Sequence, residues 1–131
     1  MTRRPQILIV DDEAHLRNGL RRILNEEGYE AITAPDGETA LMLAAEKKPD
    51  IVLLDIMMPG MDGREVCHRL RKVAAEAQII YLTAKVETTG PLQSKHLRGE
   101  ADAFIAKPAT SKRILSKIES MLHSTEEQPD C

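Results

Sequence analysis

Two short apolar runs, each followed by aspartate, constrain the fold of this 131-residue chain most strongly. The first, ILIV at residues 7–10, leads into Asp11 and Asp12, and the second, IVLL at residues 51–54, leads into Asp55. A short run without polar alternation predicts a strand that is buried on both faces, as in a parallel sheet covered by helices. The chain is therefore expected to build its core around such a sheet.

Helix and strand patterns alternate along the rest of the chain. Short segments at residues 29–34, 78–82 and 103–106 predict three more strands. Five such strand–helix pairs predict a doubly wound α/β fold, an open five-stranded parallel sheet with helices on both faces. The helices are indicated by apolar residues at three- and four-residue spacing: Leu16, Leu20, Ile23 and Leu24; Ala40, Leu41, Ala44 and Ala45; Val66, Leu70 and Val73; a weaker stretch at 92–97; and Ile114, Leu115, Ile118, Met121 and Leu122.

Composition and charge argue against several classes of function. The mild net charge of −3 does not suit a broad nucleic-acid or anionic-membrane surface. No apolar run is long enough to span a bilayer, and the apolar stretch near the start is too short for a secretory signal. Two cysteines, Cys67 and Cys131, make neither a disulfide framework nor a metal cluster, which favours the reducing cytoplasm. We expect no nucleic-acid or membrane partner for this domain.

Polar residues stand where the predicted strands end. Asp11 and Asp12 follow the first strand, Asp55 the third, Thr83 the fourth and Lys107 the fifth. Ligands of open parallel sheets bind at the carboxyl ends of the strands, so these side chains are expected to share one crevice.

This set of side chains suits phosphoryl chemistry. Three neighbouring carboxylates need a cation, and hard oxygen ligands suit Mg²⁺. Lys107 adds a second positive charge, and the Thr83 hydroxyl can donate a hydrogen bond to a phosphoryl oxygen. Asp55, which closes a buried strand near the centre of the sheet, is the best candidate for a nucleophile that forms an acyl phosphate.

These residues, with the loop at 57–63, the sequence Thr83-Ala84-Lys85 and the pair Lys107-Pro108, resemble a two-component response regulator receiver domain. The resemblance covers roughly residues 6–123 and implies a flavodoxin-like sheet in the strand order 2-1-3-4-5. It also implies that Asp55 accepts a phosphoryl group from a phosphohistidine, on a sensor histidine kinase or a histidine phosphotransfer protein. On this interpretation the chain is a signalling switch and its only catalysis is of its own phosphorylation and dephosphorylation.

The resemblance also implies a role for each site residue. Asp12 and Asp55 would bind Mg²⁺ together with the backbone carbonyl of Met57, and Asp11 would assist through water. Lys107 would contact the phosphoryl oxygens. Thr83 and Phe104 match the family's switch pair, in which the hydroxyl turns toward the phosphoryl group and the ring turns inward. The simpler interpretation of Phe104 is a core ring that keeps one rotamer.

The resemblance divides the chain into an N-terminal extension at 1–5, a receiver domain at 6–123 and a polar C-terminal tail at 124–131. The sequence departs from the family in two places. The stretch between Thr83 and Lys107 is slightly longer and contains Gly90-Pro91, and Ala109 stands where a large apolar residue is common. We therefore expect a short, displaced or mobile fourth helix and an atypical partner surface.

Two other functions compete with the signalling switch. A phosphohydrolase that uses an aspartyl phosphate also has carboxylates at strand ends. Such an enzyme usually has its nucleophile one residue away from a second Asp on the first strand, and it needs a cap over the substrate. This chain instead has the adjacent pair Asp11-Asp12 and is too short to include a cap. A nucleotide-binding module would need a glycine-rich sequence after a strand, and none is present. The start at Met1 and the polar tail favour a stand-alone regulator over a receiver cut from a longer protein. Its downstream protein or missing output domain is not indicated by the sequence.

Overall fold

The computed structural model describes residues 4–56, 58, 60, 62–83, 101–107 and 109–127. These residues form a single parallel sheet in the order β2-β1-β3-β4-β5 and four helices, so the predicted fold class and strand order are confirmed. The elements are β1 (Gln6–Val10), α1 (Ala14–Glu26), β2 (Glu30–Ala34), α2 (Gly37–Lys47), β3 (Ile51–Asp55), α3 (Gly63–Val73), β4 (Gln78–Thr83), β5 (Ala103–Ala106) and α4 (Ser111–Glu127).

Each central strand contributes to two separate cores. Leu8 and Val10 of β1 pack on the side of α2 and α3, whereas Ile7 and Ile9 pack on the side of α1 and α4. All four side chains are fully buried. Since both faces of the sheet are covered, the strand has no polar alternation, and the apolar runs in the sequence are explained.

The register of β1 and β3 places two aspartates side by side. Val10 is paired with Leu54 at the end of this ladder. The residue after each of these is an aspartate, Asp11 just beyond the end of β1 and Asp55 as the last residue of β3. The sheet itself therefore brings two acidic residues that are far apart in the sequence to neighbouring strand ends.

At both ends of the described chain, the structure differs from the extension and the tail that the sequence indicated. Arg4, in the expected extension, donates hydrogen bonds to the carbonyls of Asn25, Gly28 and Tyr29 at 3.4, 3.3 and 2.6 Å. A cation at the C-terminal end of α1 also interacts favourably with the helix dipole. α4 continues through Glu127, into the stretch that was expected to be a tail, because nothing before Pro129 prevents helical hydrogen bonding.

The fourth predicted helix, near residues 92–97, lies outside the described residues, so the expectation that it is short, displaced or mobile stays a prediction. Asp102, which directly precedes β5, is held by contacts with β4 and α3. The Asp102 carboxylate accepts a 2.7 Å hydrogen bond from the Ile79 N–H, and it forms an ion pair with Arg71 at 3.2 Å. Within the described ranges, no helix combines the length and apolar character that crossing a bilayer requires.

Asp36 caps α2, and this cap predicts a response to acid. Its carboxylate accepts a 2.8 Å hydrogen bond from the Thr39 N–H, and this bond lowers the pKa of Asp36 below its usual 3.8. The resulting stability is complete above pH 3.8 and is lost as pH falls through the folded-state pKa. Asp36→Asn, which retains a capping side chain, should lack this dependence. Melting temperatures measured from neutral to acidic pH test the prediction, and identical pH profiles for the two proteins would refute it.

Candidate functional site

Three carboxylates meet at the carboxyl edge of the sheet. Asp11 follows β1, Asp12 is the next residue, and Asp55 is the last residue of β3. One oxygen from each side chain lies within 4.8 Å of the others. Asp11 and Asp55 are only 1% and 5% exposed, whereas Asp12 is exposed to solvent. The cluster thus has two buried members and one that faces water.

Lys107 joins this cluster from the end of β5. Its Nζ atom lies 3.1 Å from Oδ2 of Asp55 and 3.5 Å from Oδ2 of Asp11. Burial acts to lower the pKa of Lys107, but the hydrogen bond and charge of Asp55, with those of Asp11, outweigh burial and raise it. The ammonium therefore stays charged and bridges the two buried carboxylates.

The surroundings of Asp11 raise the pKa of its carboxyl group. Burial raises the pKa of its carboxyl above the usual 3.8, and the nearby charge of Asp55 raises it further. A hydrogen bond from the Glu13 N–H and the charge of Lys107 oppose this shift without cancelling it. The ionised form of Asp11 is therefore disfavoured, mainly by burial, even with Lys107 beside it. A further cation close to Asp11 would favour that ionised form.

The donor atoms fit a small hard cation. Carboxylate oxygens are the ligands that Mg²⁺ prefers, and this ion keeps several of its waters, so it needs an open side. Asp12 is exposed and provides that open side, while Asp11 already uses Oδ1 to accept a 2.9 Å hydrogen bond from the Glu13 N–H. The carbonyl of Met57, the further ligand expected from the sequence, lies outside the described residues.

The two residues predicted as a switch lie on neighbouring strands. Thr83 is the last residue of β4, and its backbone is paired with Ala106 of β5. Phe104 is paired with Tyr81, and its half-buried side chain packs against the core on the side of α2 and α3. The backbone thus places Thr83 at the same edge as Asp55 and Lys107. The side chain of Thr83 is outside the described part of the structure.

The backbone of Gly63 lies very close to Ile56, a contact that the sequence did not indicate. It begins α3, and a Cβ atom built on it would lie 2.7 Å from Cα of Ile56, the residue that follows Asp55. Asp62 caps the same helix by accepting hydrogen bonds from the N–H groups of Arg64 and Glu65. The Asp-Gly pair signals a turn and a helix start in the sequence, but no local pattern identifies Ile56 as the neighbour.

Replacing Gly63 by alanine should destabilise the fold and shift the backbone after Asp55. Because the clash is with backbone atoms, the expected cost is about 1–3 kcal/mol in the free energy of unfolding. Gly19 is the matched control, since its added Cβ would meet nothing within 4 Å inside α1. There alanine should stabilise the protein by roughly 1 kcal/mol through helix propensity. Urea unfolding measures both effects, and equal shifts for the two variants would show that the approach to Ile56 is unimportant.

The sequence of this chain matches a known family over most of its length. The family model described as the response regulator receiver domain matches residues 7–119. The DNA-binding response regulator MtrA of Mycobacterium tuberculosis is 38% identical over 128 residues, which cover 98% of this chain and 55% of MtrA. Response regulator MprA of a Mycobacterium species is 39% identical over 127 residues, covering 95% of this chain and 54% of MprA. The chain therefore spans about half the length of these relatives.

Solved structures give the same result for the fold. A CheY-like response regulator receiver domain protein from Methanospirillum hungatei superposes with a TM-score of 0.84 at 29% identity, over 95% of this chain and 98% of that one. Chemotaxis protein CheY4 of Vibrio cholerae superposes with a TM-score of 0.80 at 27% identity, over 89% of this chain and 98% of that one. The architecture of five parallel strands and surrounding helices is thus shared along nearly the whole chain.

Proposed function

This chain belongs to the response regulator receiver domain family, and on that premise we propose that it is a phosphorylatable switch whose phosphoacceptor is Asp55. The contact that best supports this proposal is the one between Lys107 and Asp55, at 3.1 Å. It holds a positive charge beside a buried carboxylate in the acidic cluster. A phosphoryl group attached to Asp55 would carry its negative charge into reach of this ammonium.

Besides the nucleophile Asp55, transfer of the phosphoryl group needs mainly positioning and stabilising charge from the protein. A carboxylate oxygen of Asp55 attacks the phosphorus of a phosphohistidine on a sensor histidine kinase or a histidine phosphotransfer protein. The new P–O bond makes an acyl phosphate as the P–N bond to imidazole breaks, and the imidazole leaves with the electron pair of that bond. Lys107 then neutralises part of the charge on the phosphoryl oxygens.

A bound Mg²⁺ ion would neutralise charge on the transferring group. Asp12 and Asp55, with the carbonyl of Met57, are the proposed ligands, and Asp11 assists through water. Two observations support this assignment. Asp12 faces solvent, where a hydrated ion can enter, and one carboxylate oxygen from each of Asp11, Asp12 and Asp55 lies within 4.8 Å of the others.

The signal is proposed to leave the site through Thr83 and Phe104. Their strands β4 and β5 are paired, so a hydroxyl drawn toward a phosphoryl group on Asp55 is one strand away from the Phe104 ring. A change in this pair would alter the surface offered to a downstream protein or to an output domain outside these residues. The cytoplasm is the proposed compartment, and DNA binding, which is named for the relative MtrA, is not assigned to this domain.

A comparison of adduct formation with turnover tests whether the chain is a switch or a phosphohydrolase. The protein is incubated in two separate reactions, both containing Mg²⁺. One contains a small acyl phosphate and the other contains generic phosphomonoesters. A switch should take up a single phosphoryl group from the acyl phosphate and release no phosphate steadily from the monoesters. Sustained release from monoesters, without a protein adduct, would favour the hydrolase and contradict the proposal.

A further inference from the structure

We infer that Arg17 is a positioning residue for the cation site, because it holds the peptide that joins Asp11 to Asp12. Its Nη1 atom donates a 2.8 Å hydrogen bond to the backbone carbonyl of Asp11. The inference rests on the proposed function, since it concerns the same site. It adds a residue on α1 that none of the motifs at the strand ends contains.

The carbonyl that accepts the hydrogen bond from Arg17 belongs to the peptide between two residues of the acidic cluster. The oxygen of Asp11 and the N–H of Asp12 belong to one rigid peptide plane. Whatever fixes that oxygen therefore also fixes the direction in which the backbone enters Asp12. The ladder between β1 and β3 ends at Val10, so the Asp11–Asp12 peptide lies just beyond the paired part of β1. A contact from α1 supplies the restraint at this point.

The other polar atoms of Asp11 are restrained as well. Its N–H donates to the carbonyl of Ala34 at 3.2 Å, Oδ1 accepts from the Glu13 N–H, and Oδ2 faces Lys107. Asp12 differs because its side chain is exposed. The direction of the Asp12 carboxylate therefore depends more on the backbone that carries it. Arg17 acts on that backbone.

A purely electrostatic role for Arg17 predicts the opposite effect on metal binding. A guanidinium near the cluster is a positive charge that repels a cation bound at the same site. If Arg17 acted only by its charge, its removal would tighten Mg²⁺ binding. If it positions the Asp11–Asp12 peptide, its removal weakens binding because the Asp12 carboxylate is no longer held in place. The sign of the change in affinity separates the two roles.

The test measures the dissociation constant for Mg²⁺ by calorimetry on the whole chain, without any phosphoryl donor. Arg17→Met should weaken binding about 10-fold, as the loss of groups that orient metal ligands commonly does. Arg17→Lys keeps the charge but loses the planar donor, and it should weaken binding by a smaller factor. Arg22→Met is the control, because Arg22 is exposed on the same helix. It should leave the affinity nearly unchanged.

Each result of this experiment has a distinct meaning. Equal or tighter binding by Arg17→Met would overturn the inference, as would an Arg17→Lys variant that binds as the native protein does. If Arg17→Met does not fold, Arg17→Lys decides, since charge alone predicts no change for it. A native protein that binds no Mg²⁺ would instead contradict the proposed function along with the inference. Native binding that is insensitive to Arg17 would contradict only the inference.

Asp12→Asn provides a second readout that a general structural role would not affect. If Arg17 works through Asp12, the two substitutions should not add, because the Asp12 carboxylate is already misplaced once Arg17 is gone. The double variant should bind Mg²⁺ about as weakly as Asp12→Asn alone. Independent, additive losses would show that Arg17 affects the site by some other route and would contradict the inference.

Discussion

Asp55→Asn should abolish the uptake of a phosphoryl group from a small acyl phosphate in the presence of Mg²⁺. The amide has nearly the same shape as the carboxylate but lacks the anionic oxygen that attacks phosphorus. The expected result is an unchanged intact mass under conditions in which the native chain gains one phosphoryl group. Circular dichroism of the variant checks that the sheet has formed.

The control for this prediction is Asp62→Asn. Asp62 lies a few residues further along the chain, is exposed and caps α3, a role in which asparagine serves equally well. This variant should take up the phosphoryl group as the native protein does. Uptake by Asp55→Asn, or its loss in Asp62→Asn, would contradict the assignment of Asp55 as the acceptor.

Lys107→Met should have the largest effect on stability among the site substitutions. It would leave Asp11 and Asp55 without the ammonium that lies 3.5 and 3.1 Å from them, although both carboxylates are buried. Because the Lys107 side chain is 26% exposed, the expected cost is about 3 kcal/mol in the free energy of unfolding, the lower end of the range for breaking a buried pair. Urea unfolding in metal-free buffer measures this loss. Mg²⁺ should restore part of it, because a bound cation again compensates the carboxylates.

The same substitution should slow phosphorylation. Loss of a preorganised charge at a reacting group commonly reduces the rate by about 10² or more, and adduct formation over time provides the measurement. Lys112→Met, at an exposed position of α4, is the control and should keep the native rate. A native rate in Lys107→Met would exclude the proposed contact with the phosphoryl oxygens, whatever its effect on stability.

The sequence predicted the fold well because each local pattern agreed with the final packing. The apolar runs at 7–10 and 51–54 became the buried strands β1 and β3, and four of the five helical patterns became α1 to α4. The fifth pattern, at 92–97, lies outside the described residues. The strand order 2-1-3-4-5, which came from the family resemblance and not from periodicity, is confirmed. The end of α4 was the poorest boundary, because polar residues at 124–127 can continue a helix as readily as they can form a tail.

The candidate site was predictable only in part. Its carboxylates and Lys107 could be placed because they follow strands, and parallel strands end at one edge of the sheet. Arg17 and Gly63 could not be placed in this way. Their contacts, with the Asp11 carbonyl and with Ile56, join different elements and leave no local signature in the sequence. Arg4 was missed for the same reason, because its carbonyl partners are more than 20 positions away along the chain.

The most direct test of the central claim is the mass of the native chain after incubation with Mg²⁺ and a small acyl phosphate, followed by peptide mapping. The account predicts a gain of one phosphoryl group per chain, dependent on Mg²⁺ and located on the peptide that contains Asp55. An unchanged mass, or a phosphoryl group attached to any other residue, would contradict the claim that Asp55 is the phosphoacceptor.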